Sequence, residues 1–240
     1  MSMGSGIHHI IDRQVRRWEA EARARRQAIH DPAVQQPSIR PWVTISRAFG
    51  SGGGEIAHRL ATALGYQIFD REILDVIVEE GRFRSAILEY LDERDRSSLE
   101  IWIQGILHGN LVDKGDYLRT LIGVLGSIAM HGHAIIIGRG ANFVLDHRRG
   151  VHVRVVAPLP QRVETIGRLR SLSYAEAEKL VLDTDHERAA FIRHHFHRDI
   201  DDPLAYDLTV NTGWIGIEGA IALIEHGLRR KLAHQPNVRF

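Results

Sequence analysis

The chain has 240 residues, of which 44% are hydrophobic and 25% are charged, a size that suffices for one well-packed core. Its 31 basic and 30 acidic residues leave a formal charge of +1, so we expect neither nucleic acid nor a membrane surface as a partner. The absence of cysteine excludes disulfides, thiolate metal sites and a cysteine nucleophile. Because the sequence has no long apolar run, we expect a soluble, cytoplasmic protein.

The N-terminal segment predicts a weakly anchored helix over residues 6–27, with sparse apolar positions such as Ile10, Ile11 and Trp18 on one narrow face. Two interpretations stay open, a solvated arm or a helix that docks onto a second subunit and so supports a homodimer. Three prolines within residues 30–41 then predict a linker. We therefore expect a helical arm and linker over 1–40, followed by one domain over 41–240.

The first core elements are a strand, a glycine-rich loop and a helix. Residues 42–46 are apolar and β-branched, and predict a buried strand. Apolar residues at helical spacing predict a helix over 55–64, which Gly65 ends. A second short strand over 66–69 ends next to Asp70.

Helices and strands then alternate along the rest of the chain. The pattern from 71 to 131 is helical, with breaks near Gly81 and over 94–97 and 109–116. Three further strands are predicted at 134–138, 151–157 and 206–212, and helices at 160–169, 174–182 and 217–232, the second of these with a Ser173–Glu176 capping box. This alternation predicts an α/β fold with a parallel sheet of about five strands covered by helices on both faces.

The loop within "SRAFGSGGGEIAHRLATALG", residues 46–65, has the composition of a phosphate-binding loop. Glycines permit positive φ and let the backbone approach a ligand closely, and the N–H groups at a helix N-terminus attract anions. We predict that this loop binds nucleotide phosphates through Gly50, Ser51, Gly52, Gly53, Gly54 and Glu55.

Two kinds of phosphate loop compete for this stretch. The pattern Gly52-x-Gly54-x-x-Ala57 satisfies a relaxed dinucleotide-binding fingerprint, and Asp70 stands where a ribose-binding acid belongs, so a dinucleotide-dependent oxidoreductase is one hypothesis. That fold places its first glycine directly at the end of the strand, whereas four residues, 47–50, precede Gly52 here. The longer loop favours a mononucleotide P-loop.

The loop departs from a strict P-loop in three places. Gly53 replaces the lysine, Arg47 stands at the first glycine, and Gly54 with Glu55 occupies the region of the magnesium-binding hydroxyl. Arg47 is the expected substitute cation, because a guanidinium can donate to two phosphate oxygens at once. Ser51 is the candidate for the missing hydroxyl.

Four stretches together resemble the cytidylate kinase-like family, a lysine-less branch of P-loop proteins. They are "ISRAFGSGGGEIAHRLATALGYQIFDREIL", "IIIGRGANFVL", "VHVRVVAPLPQRV" and "DPLAYDLTVNTGWIGIEGAI", and they span about residues 43–228 in the expected order. The resemblance implies a P-loop NTPase-like sheet, a helical insertion between the second and third strands that holds an acceptor, and a helical lid.

The resemblance also implies roles for individual residues. Asp70 and Arg71 would bind the acceptor nucleotide, Arg139 would pair with its phosphate, and Arg188 and Arg193 would belong to the lid and clamp the transferred group. The implied reaction is transfer of the γ-phosphoryl group of ATP, with Mg²⁺, to a nucleotide such as CMP. Because the lysine and the hydroxyl are missing, a regulatory nucleotide-binding protein with little or no kinase activity stays open.

Histidine and tryptophan supply no separate site in this interpretation. His194, His195 and His197 lack the H-E-x-x-H pattern that places two metal ligands on one helix face, so we predict a basic lid surface and no metal site. Trp102 and Trp214 are interpreted as packing residues.

Overall fold

The computed structural model describes residues 3–28, 41–89, 91, 93–108 and 115–233. Over these ranges the chain forms five strands, which are β1 Trp42–Arg47, β2 Gln67–Phe69, β3 Ala134–Ile137, β4 Gly150–Val156 and β5 Leu208–Asn211. Its helices are α1 Met3–Ala28, α2 Gly53–Leu64, α3 Arg71–Glu79, α4 Gly81–Glu89, α5 Glu93–His108, α6 Asp116–His131, α7 Ala141–Val144, α8 Leu159–Arg170, α9 Tyr174–Phe196 and α10 Thr212–Ala233.

The five strands form one parallel sheet in the order β2-β3-β1-β4-β5. The central strand β1 pairs with β3 on one side and with β4 on the other, so that Thr44 lies opposite Ile136 of β3 and His152 of β4. The predicted α/β fold with about five strands is confirmed. The connection from β1 runs to β2 and the connection from β3 runs in the opposite direction to β4, and such a switch point opens a crevice at the carboxyl ends of β1 and β3.

Helices cover both faces of the sheet, because the strands are apolar on both sides. On one face, α2 and α10 contribute residues such as Ile56, Leu60 and Ile224 to a core with Ile45 and Val153. The other face carries α1, α3, α6 and the end of α9. The helices α3 to α6 form the expected insertion between β2 and β3, and α8 and α9 form an antiparallel hairpin between β4 and β5.

The N-terminal helix packs against its own chain. Ile11 and Trp18 are buried, and the Trp18 indole stacks on Phe69 at 5.8 Å and on His131 at 4.3 Å between ring centroids. The interpretation as a solvated arm is therefore wrong. A homodimer through this helix stays a prediction that would have to use its exposed side, which includes Ile10. Of the predicted linker, residues 30–40 lie outside the described part of the chain.

Several predicted boundaries differ from those observed. The capping box at Ser173 is present, but α9 continues to Phe196 because the sequence from 183 to 196 contains neither glycine nor proline to end it. Residues 94–97, predicted as a break, lie inside α5. Trp102 packs against the core as expected, whereas Trp214 is 79% exposed, so its assignment as a packing residue is wrong. No described helix is long and apolar enough to cross a membrane.

Candidate functional site

The glycine loop turns the chain from β1 into α2. Gly50 and Gly52 adopt φ values of 82° and 78°, a region that side-chain-bearing residues rarely occupy. A Cβ atom on Gly50 would lie 2.8 Å from the carbonyl oxygen of Arg162, and one on Gly52 would collide with the Ile217 side chain. Conformation and packing therefore require glycine at both positions. Gly54, by contrast, has open space where its side chain would be.

The Ser51 hydroxyl points into the protein interior. Its Oγ donates to the carbonyl oxygen of Ala48 at 2.8 Å and lies 3.2 Å from that of Val155. The carbonyl of Ser51 in turn accepts a hydrogen bond from the Thr212 hydroxyl at 2.9 Å. The Ser51 hydroxyl is thus used in contacts within the loop and with β4, which does not fit its assignment as a metal ligand. Glu55 is exposed.

Arg47 occupies space that two glycines leave open. A Cβ on Gly53 would lie 2.6 Å from the Arg47 Cβ, and one on Gly138 would lie 2.5 Å from Nη1 of Arg47. Burial, with a further contribution from the positive charge of Arg188, lowers the pKa of Arg47 to about 10. A buried guanidinium beside a second cation favours binding of an anion, which would stabilise both charges.

A cavity of about 210 Å³ lies at the carboxyl ends of β1 and β3, beneath α9. Four arginines from different elements line it, namely Arg47, Arg71, Arg139 and Arg188. Glu187 is the single carboxylate among its described lining residues, and Phe191, Ile192 and Ile200 supply apolar wall. The balance of charge favours an anionic ligand, and the position agrees with the rule that ligands of open parallel sheets bind at such a switch point.

Arg139 is fixed in the cavity wall by contacts that the sequence did not predict. It forms an ion pair with Asp75 of α3, and its guanidinium carbon lies 5.0 Å from the centroid of the Phe191 ring. Asp75 also accepts a hydrogen bond from the Tyr117 hydroxyl at 3.2 Å. The Arg139 Nε is buried and has no partner in the described part of the chain, so a donor is left for a ligand. The spacing of four residues from Arg71 to Asp75 indicates a pair between those two residues, but it does not indicate the contact with Arg139.

The two arginines assigned to the lid have different positions. Arg188 lines the cavity and donates from Nη1 to the main-chain carbonyl oxygen of Arg47 at 3.0 Å. Burial lowers the pKa of Arg188, as does the nearby charge of Arg154. Arg193 is exposed and does not line this cavity, because five residues turn a helix by roughly 140°. The structure does not bring Arg193 to the site.

Asp70 and Arg71, the two residues predicted to bind the acceptor, also have different positions. Asp70 caps α3, where its Oδ1 accepts a hydrogen bond from the Ile73 N–H at 3.0 Å. Its negative charge offsets part of the lowering of the Arg47 pKa. Arg71 lines the cavity with a side chain that is two-thirds exposed, 3.7 Å from Asp75. The cap gives Asp70 a structural role, and its role as an acceptor ligand stays a prediction.

Three charged residues that the sequence did not assign to ligand binding surround the loop. Arg154 is buried and donates to the Ser46 hydroxyl at 3.0 Å, while Arg162 and Asp185 contact the main chain of Phe49. The signal for Asp185 was its position at the start of the "DHER" stretch. Among the described residues, no group of three or more His, Asp or Glu side chains is placed to hold a metal ion.

Comparison with known proteins agrees with this geometry. The model of the cytidylate kinase-like family matches residues 42–213, which covers every strand of the sheet. A cytidylate kinase from Aeropyrum pernix is 28% identical over 189 residues, which is 78% of this chain and 98% of the relative.

A solved structure shows the same fold at lower identity. An uncharacterized protein from Eubacterium ventriosum superposes with a TM-score of 0.54 at 15% identity, over 77% of this chain and 96% of the other. A shikimate kinase from Bacteroides thetaiotaomicron has the same identity and coverage at a TM-score of 0.42. Since the family model covers most of the chain, including the glycine loop and both walls of the cavity, this protein belongs to the cytidylate kinase-like family.

Proposed function

We propose that the protein transfers the γ-phosphoryl group of ATP to a nucleoside monophosphate such as CMP. Family and fold support a nucleotide kinase-type function. The observation that carries the finer proposal is the convergence of four arginines on one cavity beside the glycine loop. This excess of positive charge favours binding of a dianionic acceptor and a triphosphate donor.

In the proposed reaction, a phosphate oxygen of the acceptor attacks the γ-phosphorus of ATP. A new P–O bond forms to the acceptor, the bond from the γ-phosphorus to the β–γ bridging oxygen breaks, and ADP leaves. Arg139 and Arg71 hold the acceptor phosphate at the β3 side of the cavity. Arg47 and Arg188 neutralise charge on the transferring group, which is the main requirement of phosphoryl transfer once the reactants are aligned.

Magnesium accompanies ATP in this proposal, but the residues present do not fit a loop-bound ion. The Ser51 hydroxyl donates to a main-chain carbonyl in the interior, and Glu55 lies 3.5 Å from Arg59 on the exposed side of α2. The loop therefore offers Mg²⁺ no ligand.

A second candidate function is nucleotide binding with little or no turnover, as in a regulatory protein. Two observations favour it, namely Gly53 in place of the lysine and the inward-facing Ser51 hydroxyl. Both remove groups that P-loop enzymes use during transfer.

A coupled ADP-release assay with ATP and each common nucleoside monophosphate tests the proposal. We expect CMP to stimulate ADP release well above the rate with ATP alone. Calorimetric ATP binding without turnover for any acceptor would favour the second candidate. A change in NADH fluorescence without ATP binding would instead support the oxidoreductase hypothesis.

A further inference from the structure

The glycine loop is joined to the α8–α9 hairpin through the main chain of Phe49. The Phe49 N–H donates to Oδ1 of Asp185 at 2.7 Å, and the Phe49 carbonyl accepts from Nη1 of Arg162 at 3.0 Å. Asp185 and Arg162 also pair with each other at 2.5 Å. One residue of the loop is thus bound through both of its backbone groups by a charged pair, one partner from each helix of the hairpin.

The side chain of Phe49 is held by the same hairpin. It packs against a small hydrophobic cluster formed by Val163, Ile166, Ala177 and Val181, which belongs to α8 and α9 alone. The guanidinium groups of Arg170 and Arg188 lie 5.6 Å and 5.3 Å from the centroid of its ring. Phe49 therefore completes the core of the hairpin from outside it.

These contacts hold together two cations that repel each other. Arg188 and Arg47 are both largely buried, and the positive charge of Arg188 adds to the effect of burial in lowering the pKa of Arg47. The hydrogen bond from Arg188 to Arg47 goes to the main-chain carbonyl and leaves the repulsion between the two guanidinium groups in place. An attachment elsewhere is needed to keep α9 against the loop, and Phe49 with Asp185 supplies it.

We propose that Phe49 is a positioning residue, which docks α9 on the glycine loop so that Arg188 joins Arg47 in supplying the phosphate-binding charge that Gly53 cannot. This inference rests on the proposed function, because the cation matters only if the loop binds phosphates. It predicts that Phe49 acts on nucleotide affinity through Arg188 and not through general stability.

The test uses ATP calorimetry on Phe49→Ala, with Phe49→Leu as the conservative rescue and Leu172→Ala as a control that truncates another side chain packed on the same cluster. We expect Phe49→Ala to weaken ATP binding at least about tenfold, and both comparison variants to stay within about threefold of the wild type. Thermal unfolding identifies any variant that does not fold. If Phe49→Ala does not fold, Asp185→Ala, which removes the carboxylate contacts, is expected to give the same loss.

A double-mutant cycle separates positioning from stability. In the Arg188→Ala background, Phe49→Ala is expected to lower the ATP affinity by less than about twofold, because the guanidinium that Phe49 positions is gone. Multiplicative losses in the double variant, or wild-type affinity in Phe49→Ala, would overturn the inference. If wild-type protein does not bind ATP, the proposed function fails first.

Amide exchange without nucleotide is the independent readout, since Phe49→Ala but not Leu172→Ala is expected to speed exchange in 48–52 and 184–190.

Discussion

Arg188 of α9 donates a hydrogen bond to the main-chain carbonyl oxygen of Arg47 at the end of β1, over 3.0 Å. This contact joins the helical hairpin to the strand that leads into the glycine loop, and it places two largely buried guanidinium groups at one cavity. A loop without its lysine thereby has cations from two separate elements.

Arg188 and Arg193 are a matched pair on one helix, because only Arg188 lines the cavity. Replacing Arg188 with alanine is expected to weaken ATP binding about tenfold or more, since a charge-assisted hydrogen bond to phosphate contributes roughly 1.5–3 kcal/mol. Arg193→Ala is expected to bind ATP like the wild type. Equal losses in both variants would show that the hairpin has a general basic surface and no specific phosphate ligand.

Gly53 and Gly54 provide a contrast one residue apart. A Cβ at position 53 would lie 2.6 Å from the Arg47 Cβ, so we expect Gly53→Ala to lower the free energy of unfolding by about 1–3 kcal/mol. Position 54 has open space, and Gly54→Ala is expected to be neutral or to stabilise α2 by up to about 1 kcal/mol. Denaturant unfolding measures both. A lysine at 53 meets the same obstacle, so restoring the P-loop residue would not restore a P-loop site.

His152 predicts acid sensitivity of the fold. Burial, helped by the charge of His147, lowers its pKa to about 3, and its ring contacts Thr44 Oγ1 at 2.7 Å and the Leu145 carbonyl at 3.2 Å. Because the unfolded chain protonates this imidazole near pH 6.5 and the folded chain does not, stability falls as pH drops from about 6.5 towards 3. The expected slope from this group is up to about 1.4 kcal/mol per pH unit.

The measurement is the free energy of unfolding at several pH values for His152→Gln beside the wild type. The variant is expected to show a flatter profile in that window, whatever its absolute stability. The exposed His226, changed to glutamine, is the control and should keep the wild-type slope. An unchanged slope in His152→Gln would mean that this imidazole is not held neutral by the fold.

Trp18 tests whether α1 is part of the fold. The indole is buried against Phe69 and His131, so Trp18→Ala is expected to cost about 3–5 kcal/mol of unfolding free energy. The exposed Arg16 on the same helix gives the matched alanine variant, with an expected change below about 0.5 kcal/mol. A loss as small as that for Trp18→Ala would contradict the docking of α1 on its own chain.

The sequence predicted the parts of the fold whose signals are local. The apolar run at 134–138 and the β-branched run at 42–46 identify strands because their residues are buried on both faces. Ser173 marks the start of α9 through its capping box, but nothing local marks the end at Phe196. The docking of α1 was not predictable, since its narrow apolar face fits either an intramolecular or an intermolecular partner.

The candidate site was predictable only in outline. Arg47 was expected as a cation from its place in the loop, whereas the Asp75 partner of Arg139 depends on a contact between α3 and the end of β3. The inward-facing Ser51 hydroxyl also lies 3.2 Å from the Val155 carbonyl, which is more than a hundred residues away along the chain. Such long-range contacts leave no pattern in a single sequence.

The most direct test of the account is the affinity of the protein for ATP, measured by calorimetry for the wild type and for Arg47→Ala, followed by CMP-stimulated ADP release on the same samples. The account predicts that the wild type binds ATP, that Arg47→Ala loses at least about tenfold in affinity, and that CMP stimulates ADP release by the wild type only. Absence of ATP binding by the wild type, or equal binding by Arg47→Ala, would contradict the central claim that Arg47 replaces the lysine of the loop.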